Sequence, residues 1–124
     1  MIVLDGAAVL DKETGLVWEK SPDATRRTWL DAIYYCYTKT VGGRKGWRLP
    51  TVEELASLID TTQSNPALPS GHPFNVQTYG CWSSTEYVDA PNGDSAWEVY
   101  MSNGYTRPSL KGNGDFVWLV RGGK

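Results

Sequence analysis

A chain of 124 residues with one histidine and two cysteines has few ways to do covalent chemistry. Ser83-Ser84-Thr85 sets hydroxyls side by side, but a serine attacks a carbonyl only when a neighbouring base takes its proton. The sole histidine is His72, and no G-x-S-x-G elbow is present. The hydroxyls are expected to bond nearby backbone, and no catalytic residue is assigned. Glu53 and Glu54 fall in the first turn of a helix, where carboxylates complement the dipole and close the cap. Asp94 and Glu98 have no evident partner for acid–base work. One His and two distant Cys cannot complete a tetrahedral N/S metal site, so neither a metal nor any other cofactor is expected. Asp89, Asn92 and Asp94 carry oxygen ligands for at most a weak calcium site, and the competing reading of that Pro-Asn-Gly-Asp stretch is a simple turn. Cys36 falls on a buried helical stripe. Both cysteines are therefore expected to be free thiols, the alternative being a Cys36–Cys81 disulfide.

The remaining chemistry is non-covalent. Glu98, Tyr100, Ser102, Tyr105, Arg107 and Ser109 alternate onto one side of a late hairpin, with Tyr87, Asp89, Asn92 and Asp94 in the loop before it. Rigid amphipathic rings mixed with adaptable polar groups are the composition of a paratope, and these residues are the candidate ligand contacts. The competing reading is an ordinary exposed β face, where Tyr and Thr are favoured by propensity alone.

Several elements must position those residues. Residues 2–20 alternate short apolar runs with turn signals and read as two or three short strands. Thr28 opens a helix with Asp31 as a shortened capping box, and Trp29, Ala32, Ile33, Cys36 and Tyr37 form its buried stripe. After Gly42-Gly43, a full Thr51-x-x-Glu54 box starts a second helix whose stripe is Val52, Leu55, Ala56 and Ile59. Residues 61–80 hold three prolines and show no period, so they form a long irregular loop, a kind usually functional or mobile. Residues 96–102 and 105–109 flank Asn103-Gly104, which suits a two-residue type I′ turn with Ser102 opposite Tyr105 and Tyr100 opposite Arg107. Trp97, Val99, Met101, Thr106 and Pro108 then share the other side. Residues 115–121 are apolar on both faces, which marks a central strand.

Composition bounds the function. The 40% hydrophobic and 21% charged content fits one soluble domain spanning residues 1–124. A net charge of -2, with its Lys and Arg scattered, disfavours nucleic acid. The Arg-Gly-Gly at 121–123 is a single copy. No apolar run approaches the about 20 residues of a membrane span, and no signal sequence is visible, which suggests a cytoplasmic protein or a domain of a longer surface protein. Six tryptophans and seven tyrosines are a heavy aromatic load for this length. Trp18, Trp29, Trp47, Trp82, Trp97 and Trp118 are assigned to the core, and Arg48 to a structural pair with a helix carboxylate.

The blocks TGLVWEK at 14–20, TWLDAIYYC at 28–36, GWRLPTVEELASLID at 46–60, CWSSTEY at 81–87, SAWEVYMSNG at 95–104 and VWLVRGG at 117–123 closely resemble, in this order, one family. It comprises prokaryotic domains named after the C-terminal domain of the collagen-like adhesin Lcl. The resemblance implies an α+β, C-type lectin-like fold: two helices on small twisted antiparallel sheets, paired N- and C-terminal strands, and a long irregular loop region. It also implies relation to formylglycine-generating enzymes and to the variable proteins of diversity-generating retroelements. The metal-binding cysteine pair of the former is missing. The acidic triplets by which many lectins of this fold hold calcium are missing too, the nearest strings being Ala90-Pro91-Asn92 and Trp97-Glu98-Val99. The expectation is a non-catalytic surface or adhesion module presenting residues 83–115 to a protein or glycan target on a cell or phage surface. A retroelement-diversified binding protein is its first version and a glycan-binding adhesin domain its second.

Overall fold

The computed structural model describes residues 1–89 and 91–122, so Ala90, Gly123 and their parts of the quoted motifs lie outside the described residues. The N-terminal strands are β1 (Ile2–Val3), β2 (Ala8–Leu10) and β3 (Leu16–Glu19), followed by helices α1 (Trp29–Thr38) and α2 (Val52–Ala56). Strands β4 (Gly80–Glu86), β5 (Ser95–Tyr100), β6 (Thr106–Leu110) and β7 (Val120–Gly122) complete the order. The architecture is α+β with two small antiparallel sheets, β1-β2-β3-β7 and β4-β5-β6. β7 returns from the end of the chain to pair with β3, Trp18 opposite Val120.

Both helices start where the capping residues stand. The Thr28 hydroxyl accepts the Asp31 N–H, and Thr51 and Glu54 close a reciprocal box at α2. Trp29, Ala32 and Cys36 bury the inner face of α1 as the period requires. Tyr37, expected on that stripe, is instead 77% exposed, and Tyr35 turns inward to lie 3.7 Å beneath the Arg27 guanidinium. α2 is short, so its period runs out early: Leu55 is buried, Ala56 faces solvent and Leu58 supplies the next core contact.

Residues 61–79 form the long irregular connection, one residue shorter than expected because Gly80 already pairs with Tyr100. It is pinned rather than loose. Ala67 and Leu68 are buried, and the Ala67 N–H donates to the Met101 carbonyl at 2.7 Å.

That tether reshapes the late hairpin. Glu98 pairs with Arg107 and Val99 with Thr106, two residues out of the expected register, and residues 101–105 form the connection. Met101 is fully buried and its N–H bonds the Tyr79 carbonyl, so the strand gives way to the loop before a two-residue turn can form. Gly104 takes φ +80° while Asn103 does not enter the positive region, and the Asn103 side chain accepts the Tyr105 N–H instead. A slip of two residues leaves the paired residues of β5 and β6 on the sides that alternation gives them, because the strand period is two.

The stretch before β7 divides the interior. Val117 and Leu119 pack into one core with Trp29, Ala32, Trp47 and Trp82, while Phe116, Trp118 and Val120 pack into the other with Trp18, Leu55, Val99 and Met101. The two-faced apolar pattern is thus central, though only Val120–Gly122 is regular strand and Phe116 joins Cys81 by a single parallel bridge. Trp18, Trp29, Trp47, Trp82 and Trp118 are buried. Trp97 departs from expectation: it is half-buried outside both cores, edge-on to Tyr87 with ring centroids 5.1 Å apart. Arg48 grips Glu54 through two bonds of 2.7 and 2.8 Å and also donates to the Gly122 carbonyl, joining α2 to β7.

Candidate functional site

The Glu98–Arg107 pairing places alternate residues of β5 and β6 in one wall of a cleft of about 730 Å³. Glu98, Tyr100, Arg107 and Ser109 line it, joined by Arg26, Tyr79, Gly80 and Asp115 from other elements. Asp115 reaches it because its backbone is bonded in both directions to Arg27, which also sets Arg26 at the rim. Gly80 forms part of the floor. A Cβ there would stand 2.8 Å from a Tyr100 ring carbon and 2.9 Å from Asp115 Oδ1, so only glycine admits both neighbours.

The floor is acidic and the walls are basic. Glu98, expected on an exposed face without a partner, is 2% exposed and lines the cleft beside Asp115, itself 9% exposed. The exposed-face reading fails because β5 is the middle strand of its sheet, with Gly80 and Asp115 closing over it. Burial, then the neighbouring Glu98 carboxyl, push the Asp115 carboxyl well above its ordinary range, against the pull of Arg26 and Arg107. Glu98 Oε2 and Asp115 Oδ2 are both buried without a hydrogen-bond partner. Arg107 stands 3.9 Å from Glu98 Oε1, lies 4.3 Å over the Tyr100 ring and donates to the Tyr100 hydroxyl. Arg26 lies 4.9 Å over the Tyr79 ring.

The other sequence candidates do not join this cleft. Tyr87 packs on Trp97, and Asp89, Asn92 and Asp94 lie exposed along the β4–β5 connection. Tyr105 is 68% exposed at the hairpin connection, and half-buried Ser102 accepts the Asn65 N–H through its carbonyl. Among the described residues, no group of three or more His, Cys, Asp or Glu side chains is placed to hold a metal. The Ser83 hydroxyl donates to the Trp97 carbonyl at 2.7 Å, that of Thr85 accepts the Val52 N–H, and His72 Nδ1 accepts the Phe74 N–H. Cys36 and Cys81 are free, buried in different cores, and burial pushes both thiols up to about 12.

The sequence reading missed Arg26, Tyr79, Gly80 and Asp115. One signal was available: Asp115 is a carboxylate heading a run that is apolar on both faces, where an ionised group has no ready place.

With this geometry in view, comparison with known families has one result. The model of the Lcl C-terminal domain matches residues 7–121. The chain belongs to the Lcl C-terminal domain family. No curated protein matches the sequence significantly. The family match takes in every element from β2 to β6 and most of β7, and so the whole wall of the cleft.

Proposed function

We propose that this Lcl C-terminal domain is a non-catalytic binding module of surface or adhesion type, and that the cleft between β5, β6 and residues 113–115 holds part of a glycan. One observation carries the reading: the cleft is already formed, its polar groups braced by one another and by Gly80. A preformed concave site with an aromatic wall and few convergent polar groups suits a fixed small ligand. A diversified surface needs positions that tolerate change, whereas Glu98 is buried and tied to Asp115, and Tyr100 is held between Arg107 and Gly80.

The retroelement-diversified protein stays as a second reading on a different surface. Asp89, Asn92, Asp94 and Tyr105 are exposed, free of both cores, and could vary at little cost to the fold. A polysaccharide panel separates the two. Binding that Arg107→Ala weakens at least about tenfold, and Tyr105→Ala leaves unchanged, supports the cleft. Flat isotherms across the panel, together with natural variants clustering at the exposed loop positions, would favour the second reading.

A further inference from the structure

The floor and walls of the cleft make opposite demands on a ligand. Glu98 and Asp115 set two carboxyl groups side by side in the floor, where carboxylate oxygens accept. Arg107 comes no nearer than 3.9 Å to Glu98 Oε1, beyond hydrogen-bond distance, and the Glu98 side chain is 3% exposed. A buried carboxyl at the base of an open cleft with an accepting oxygen to spare calls for a donor. Arg26 and Arg107 can only donate.

Charge narrows the choice. The floor sets two carboxyl groups beneath two guanidiniums. A sulfate or carboxylate would satisfy the arginines but bring no proton to Glu98 and Asp115. An ammonium would donate to the floor but face two cations without using them. A hydroxyl donates and accepts at once. The Tyr79 ring, 58% exposed beside the cleft, offers an apolar face for the C–H groups of the same ligand.

We propose that the cleft recognises neighbouring hydroxyls of an uncharged sugar unit, which donate to Glu98 and Asp115 and accept from Arg26 and Arg107. This rests on the glycan reading and makes it specific: the group gripped is a free diol, not a sulfate or a sugar acid.

The test is to follow backbone NMR signals of the intact 124-residue chain while adding methyl glycosides of glucose, galactose, mannose and fucose, then a heparin oligosaccharide. The expected result is saturable shifts at Gly80, Glu98 and Asp115 with at least one glycoside. That glycoside with one of the gripped hydroxyls removed should bind at least about tenfold more weakly. Shifts at these residues with heparin but none of the glycosides would overturn the diol while leaving a glycan site standing. Shifts at the cleft with neither would remove both readings. Glu98→Gln should lose the response, and Arg107→Ala, on an exposed side chain, serves as a second measure: glycoside affinity that Arg107→Ala leaves unchanged would also overturn the proposal.

Discussion

Glu19 is a buried carboxyl of a different kind from the cleft pair. It is 6% exposed, its Oε1 has no partner, and burial raises its pKa to about 7, against the opposing pull of the Leu119 N–H, Lys39 and Arg27. The folded state therefore holds this proton more tightly than the unfolded chain. Its contribution to stability is fully present below the ordinary value of 4.5 and is lost as pH rises through about 7. Glu19→Gln keeps the shape and removes the titration. The variant should gain about 1 to 3 kcal/mol on wild type above pH 7 and show a flatter pH profile, checked by urea denaturation across that range. Equal pH profiles for the two proteins would show that Glu19 ionises freely. Gly80 makes the complementary case in the cleft. Gly80→Ala pushes a methyl group against Tyr100 and Asp115, so it should abolish sugar-induced shifts and cost about 1 to 3 kcal/mol, read by NMR and denaturation.

Single elements show how far the sequence could be read. The caps of α1 and α2 were legible because Thr28 and Thr51 act within their own turn. The faces of β5 and β6 were legible because alternation is local. The register was not, because it is decided by Met101 bonding across to Tyr79 and Ala67, partners more than twenty positions away in the chain. Tyr37 and Ala56 failed for a related reason: helical period says which residues share a face, but not how much of that face a neighbour covers. The cleft was half legible, its β5 and β6 residues given by alternation and its Arg26, Tyr79 and Asp115 supplied by distant segments. The hairpin connection carries its own prediction. Gly104 sits at φ +80°, and a Cβ there would come within 2.5 Å of Ile59 Cγ2. Gly104→Ala should destabilise by about 1 to 3 kcal/mol through both strain and overlap, measured by thermal unfolding. A neutral result would mean that the connection can move away from Ile59 without loss.

At the scale of the molecule, neither sheet owns a core. Ala8 of β2 and Ala96 of β5 lie in one cluster, while Trp18 of β3 and Val99 of β5 lie in the other. Residues 116–120 run between them, sending alternate side chains each way, and Trp118 Nε1 donates to the Glu19 carbonyl across the same divide. An insult to either core should therefore be felt in both sheets. Leu119→Ala empties space only in the first core and should cost about 2 to 5 kcal/mol. If the two cores unfold as one cooperative unit, native-state hydrogen exchange should lose the same protection at Val99, on the second core, as at Trp82, on the first. Loss confined to Trp82 and its neighbours would divide the chain into two independently opening halves. The cleft would then border their seam, because Asp115 in its floor begins the segment that separates the two cores.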